Sequence, residues 1–160
     1  MIFQTSLDKL AKIITIATTI LFVFVIGVQF VLFEAEEFIP FLTVILLLAI
    51  YLIAVLFRPL NYNLTTNHII INRPLTRVKI DRNEIKSIER ISDDKLDGTI
   101  RTFGIGGLFG YWGNFANAKI GKMTWYATRR NHAILIQTVT NKKIILTPDE
   151  PEKFISAFYQ

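Results

Sequence analysis

The chain has 160 residues, enough for one modest domain plus an anchor, with 51% apolar residues and a net charge of +5. It contains no cysteine, which excludes disulfides, thiolate zinc sites and cysteine nucleophiles. Its mean hydropathy of +0.40 is high for a soluble protein.

Charge and apolar character are segregated along the chain. Residues 1–57 hold two basic and four acidic side chains, whereas the rest holds sixteen and nine, a local net charge of +7. Residues 13–33 and 39–57 carry no charge at all. A helix of about 20 residues at 1.5 Å per residue crosses the roughly 30 Å hydrocarbon core of a bilayer. Two transmembrane helices are therefore expected, over about 10–33 and 38–57. Pro40 falls in the first turn of the second, where its missing N–H costs nothing. The link Glu34-Ala35-Glu36-Glu37-Phe38 is so short that the helices must form an antiparallel hairpin.

Lys9 and Lys12 precede the first helix, Arg58 follows the second, and the link has no basic residue. The positive-inside rule then puts both termini in the cytoplasm and the acidic turn outside. A cleaved signal peptide would have a shorter apolar region and an A-x-A-like site, which is missing here. A buried hairpin of a soluble protein would need a larger domain to cover it. No ionisable side chain interrupts either span, which argues against a transporter or channel. With Gly27 the lone glycine in the spans, no GxxxG pairing face is present. Residues 1–58 thus read as an anchoring hairpin and 59–160 as a separate domain.

After Arg58-Pro59 the apolar period changes to two. Strands are expected at 62–65, 68–72 and 76–81, with turns at Thr66-Asn67 and Arg73-Pro74-Leu75. Ile85, Ile88 and Ile91 fit either a strand with an irregularity or a short helix, and the strand is expected because the preceding hairpins set a meander. Further strands follow at 122–128, 133–139 and 143–147, separated by turns at 129–132 and 140–142. Thr147-Pro148-Asp149-Glu150-Pro151-Glu152 reads as a helix start with Asp as the cap. Phe154, Ile155 and Phe158 then form an apolar stripe. A helix this short must dock on the sheet to be stable. The expected fold is a two-helix transmembrane hairpin followed by a mainly-β sandwich or barrel of about seven antiparallel strands, closed by a C-terminal α-helix.

Four stretches carry a resemblance to a known family. They are Tyr62-x-Leu64-Thr65 leading to Ile69-Ile70-Ile71-x-Arg73-Pro74, then Ile85-Lys86-Ser87-Ile88, then Phe103-Gly104-x-Gly106-Gly107-Leu108-Phe109-Gly110-Tyr111, and Thr147-Pro148-Asp149-x-Pro151-x-x-Phe154. On these the chain resembles the bacterial pleckstrin-homology-like (PH-like) domains that follow transmembrane helices. The resemblance implies a PH-like fold at the cytoplasmic membrane face, no enzyme activity and no agreed ligand.

Seven of the eight glycines lie between Gly98 and Gly121, interleaved with aromatics. No Gly-Lys-Ser/Thr follows and no G-x-G-x-x-G opens a helix, so a nucleotide loop is not expected. Two readings of the stretch 103–115 stay open. Its aromatics, Phe109 and Trp112 among them, pack on the domain or its anchor, or they dip into the headgroup layer with Arg101, Lys119 and Lys122 alongside. Arg129 and Arg130, with Lys119, Lys122, Lys142 and Lys143, form a candidate anion-binding rim; a solvated hairpin tip is the plainer reading. His68 and His132 sit at expected turns without a third ligand, and Asp93, Asp94 and Asp97 suit an exposed loop. No cofactor, metal, catalytic group or nucleic-acid motif is expected.

The expected role is an interaction module in the cytoplasmic (inner) membrane, binding anionic lipid headgroups or a membrane or cytoplasmic protein. The alternatives are a structural subunit recruited through the hairpin and an enzyme with an unrecognised site.

Overall fold

The computed structural model describes residues 1–32 and 38–160. The acidic link expected at 34–37 lies outside the described residues. Helix α1 spans Lys9–Leu32 and α2 spans Phe38–Phe57. Both are long and apolar enough to cross a membrane. Asp8 closes the start of α1 by accepting from the Ala11 N–H at 2.6 Å. Thr19 and Thr43 return their hydroxyl protons to the carbonyls of Thr15 and Ile39, at 2.7 and 3.0 Å. The helices thereby carry hydroxyls without leaving them unpaired. Tyr51 Oη meets Thr19 Oγ1 at 3.0 Å and links α2 to α1. Most of their side chains stay uncovered: Phe24, Phe30, Phe41 and Leu52 are exposed, and Ala54 is the buried residue of α2.

Two sheets form the domain. The first has the order β1-β2-β3-β4, with β1 at Ile2–Gln4, β2 at Asn61–Leu64, β3 at His68–Asn72 and β4 at Arg77–Asp81, all antiparallel. The second has the order β5-β9-β10-β8-β7-β6. Its strands are β5 (Ile85–Arg90), β6 (Ile100–Gly107), β7 (Gly110–Asn117), β8 (Gly121–Ala127), β9 (Ile134–Thr138) and β10 (Lys143–Leu146). β10 inserts between β9 and β8 and runs parallel to β8, so the sheet is mixed, where antiparallel pairing was expected throughout. Helix α3 (Pro151–Phe158) closes the chain.

The sandwich has ten strands where about seven were expected; the additions are β1, β6 and β7. The seven expected strands are all present. β5 carries a bulge between Ile85 and Ser87. One extra residue there returns Ile88 to the face of Ile85, which accounts for their spacing of three.

Period-two alternation divides the apolar side chains between two cores. Phe3, Ile69, Ile71, Ile88, Ile134, Ile136 and Leu146 fill the space between the sheets, and α3 adds Phe154 and Phe158. The outer face of the second sheet holds Tyr111, Phe115, Met123, Trp125 and Ile145 under Ile91, Leu96 and Ala11. The first turn of α1 is thus part of the second core.

The segment before α1 is tied to the domain. The Met1 amino group donates to the Leu64 carbonyl at 2.7 Å, and Thr5 Oγ1 to the Thr147 carbonyl at 2.6 Å. Asp149, expected as the cap of α3, instead accepts from Ser6 N (3.0 Å) and Ser6 Oγ (2.8 Å) and pairs with Arg129. Glu150 occupies the cap position of α3 with no side-chain bond to it. A carboxylate offered a hydroxyl, an amide and a guanidinium gains more than one offered a single amide at a helix start.

Candidate functional site

The glycine-rich stretch is a β-hairpin rather than a loop. Gly104 and Gly113 face each other across β6 and β7, with φ of +102° and +116°. A Cβ on Gly104 would lie 2.2 Å from the Trp112 carbonyl oxygen, and one on Gly113 2.3 Å from that of Phe103. Only glycine permits this approach and this φ.

The hairpin tip rests on both helices. The Phe109 N–H donates to Thr15 Oγ1 at 2.9 Å, and Thr15 Oγ1 faces the Gly107 carbonyl at 3.4 Å. The Phe109 ring meets the Tyr51 ring edge-on at 5.2 Å, and the Arg58 guanidinium lies 5.5 Å from its centroid. Trp112 packs on Phe57 at 5.6 Å. Phe109 and Trp112 therefore contact the chain's own helices.

Beside them lies a second aromatic cluster. Arg73, in the turn between β3 and β4, sits 4.6 Å from the Tyr126 ring centroid and 5.9 Å from that of Phe57. Trp112 and Tyr126 are direct cross-strand neighbours. The turn is pinned under α2 by Leu75 N–H donating to the Leu56 carbonyl at 3.3 Å. Burial pulls the Arg73 pKa down, and Tyr126 works in the opposite direction.

The six basic residues of the expected rim fall into two groups. Arg129 and Arg130 follow β8 at the end nearest the helices. Arg129 Nε donates to the Ser6 carbonyl (3.1 Å), and Arg130 N–H to Asp8 Oδ2 (3.0 Å). Lys119, Lys122, Lys142 and Lys143 lie at the other end, by the β7–β8 turn and the starts of β8 and β10. The eight residues of β7 separate the two ends by about 25 Å at 3.3 Å per residue. Lys119 pairs with Asp94, and Lys143 Nζ donates to the Ile120 carbonyl. Arg101 is exposed on β6, the edge strand.

At the lysine end a groove of about 650 Å³ opens on the second sheet. Thr102, Asn114, Lys122, Thr124, Asn141 and Lys142 contribute to its lining, and no carboxylate does. The register pairs Asn114 with Thr124 directly. Thr102 and Asn114 escaped sequence reasoning, because β6 and β7 were not recognised as strands. Their signal is the spacing of two from Asn114 to Ala116 and from Lys122 to Thr124, which places each pair on one face.

Two tyrosines at the helix end of the domain are perturbed. Burial raises the Tyr62 pKa; its hydroxyl donates to the Tyr126 carbonyl at 2.6 Å. Tyr111 is pushed up to about 12 by burial and then by the charge of Asp8, 3.4 Å away. His68 opens β3 rather than lying in a turn, and His132 sits in the β8–β9 connection, its N–H on Asp93.

A β-sandwich closed by a C-terminal helix is the plan of a PH-like domain. The family model for the bacterial PH domain matches residues 60–160, and the chain belongs to that family. No curated protein and no solved structure matches it.

Proposed function

We propose that this chain is a membrane-anchored PH-like interaction module, with no catalytic role, that holds an acidic protein partner at the cytoplasmic face of the inner membrane. The observation that carries the reading is the groove by Lys122 and Lys142. It is rich in hydrogen-bonding side chains, has three lysines and no carboxylate, and lies at the end of the sheet away from the helices. Two helices with exposed apolar surfaces support the anchoring, since such surface is costly in water. Lys9, Lys12 and Arg58 at the domain-side ends of the helices support the cytoplasmic side.

A photo-crosslinking side chain at Asn114, in native membranes, tests the reading. The expected product is one discrete adduct with an acidic protein, weakened by salt and lost in K122E/K142E. Absence of an adduct, or one indifferent to both salt and charge reversal, contradicts it. The exposed faces of α1 and α2 favour a second reading, a structural subunit recruited through its helices. Co-purification of a membrane protein that survives removal of the residues after Pro59 would select that reading instead.

A further inference from the structure

Among the described residues, no carboxylate pairs with the two arginines at the junction between the helices and the domain. Arg58 Nε, Arg73 Nε and Trp112 Nε1 are enclosed and have no hydrogen-bond partner. Among the described residues, the ion pairs join Arg90 to Glu152, Lys119 to Asp94, Arg129 to Asp149 and Lys153 to Glu150; neither Arg58 nor Arg73 takes part. Both guanidiniums instead lie against aromatic rings, Arg58 on Phe109 and Arg73 on Tyr126 and Phe57. Ring faces attract cations, but they accept no in-plane N–H, so the enclosed donors remain unmatched. Partly buried charge is ordinarily paired, and the depressed Arg73 pKa reflects desolvation that Tyr126 offsets only in part.

We propose that Arg58 and Arg73 bind the phosphodiester of an anionic membrane phospholipid. The inference rests on the reading that α1 and α2 cross the bilayer. A phosphodiester presents oxygens that guanidinium forks match in pairs. Leu75 argues for a lipid over a free anion. It is 58% exposed, two residues from Arg73, on the turn bonded to the end of α2. Leu52 and Ile53 continue that apolar surface up the helix. An acyl chain covers this stripe while its headgroup occupies the junction. The carbonyls of the last turn of α2 oppose an anion, but the helix end carries about half a charge against two full positive ones.

The bound lipid would fix the domain's tilt on its anchor. Its site is distinct from the lysine groove, so the lipid and a protein partner can bind together.

The test is native mass spectrometry of the full chain with phosphatidylglycerol and phosphatidylcholine at equal concentration. One retained phosphatidylglycerol, preferred about tenfold over phosphatidylcholine, is expected. R73Q and R58Q should each cut that preference severalfold, and K142Q should leave it intact. Equal retention of the two lipids by the unaltered chain overturns the proposal, whatever the variants do. Displacement of the lipid by millimolar inorganic phosphate overturns the lipid as its occupant. Alkaline extraction of membranes separates this proposal from the reading beneath it. A chain that stays in the pellet yet shows no lipid preference defeats the site alone; a chain released to the supernatant defeats the anchoring.

Discussion

Gly104 and Gly113 show most plainly how single residues set this architecture. Each has a positive φ, and each would drive a methyl group into the opposite strand's carbonyl. G104A or G113A should destabilise the domain by roughly 2–4 kcal/mol, read as a fall in Tm. G98A, where a Cβ meets open space, should cost less because only the φ of +69° resists it. Tyr62 and Tyr111 make a second residue-scale prediction. Both pKa values are raised, so the fold favours the neutral phenols. The stability they contribute is complete below the ordinary phenol pKa near 10 and is lost as pH climbs through about 12 for Tyr111. An ultraviolet titration should show these phenols ionising late and together with unfolding. Ionisation of all five tyrosines at the ordinary pH, with the fold intact, would contradict the buried environment.

Between elements, the decisive contacts are those that hold the β6–β7 tip on the helices and β1 on β2. T15V keeps the shape of residue 15 but removes the acceptor for the Phe109 N–H. The unpaired amide should cost about 1–3 kcal/mol. Hydrogen exchange at residues 107–110 should quicken while that of β8 is unchanged. Phe3 is 7% exposed in the core between the sheets, so F3A should cost about 3–5 kcal/mol although it precedes the family-matched region. How much of each element could be read in the sequence follows from the same contacts. β2 to β5 and β8 to β10 show β-branched alternation and turn residues, so local pattern was enough. β1 has three residues and pairs with a strand about sixty positions later, leaving no local trace. β6 and β7 hide because glycine, unfavourable in strands, fills the positions where two backbones crowd. Arg73 looked like an ordinary turn residue, since the aromatics around it come from α2 and β8. The basic rim was drawn from residue type, whereas strand direction divides it between opposite ends of the sheet.

At the scale of the whole molecule, the domain is joined to its helices through β1, the first turn of α1, the β6–β7 tip, and the β3–β4 turn under α2. A fragment starting at Asn61 lacks β1 and leaves Asp149 without Ser6, so it should be less stable than the full chain. The full chain is therefore the appropriate form for binding experiments. These ties also leave the lysine groove at the end of the sheet away from the helices. The account requires the helices to cross the membrane with the domain on the cytoplasmic side. Because the chain has no cysteine, S156C introduces a single thiol, on an exposed position of α3. A membrane-impermeant maleimide should leave it unlabelled in intact spheroplasts and label it fully once the inner membrane is opened. Labelling before the membrane is opened would place the domain outside and contradict the account.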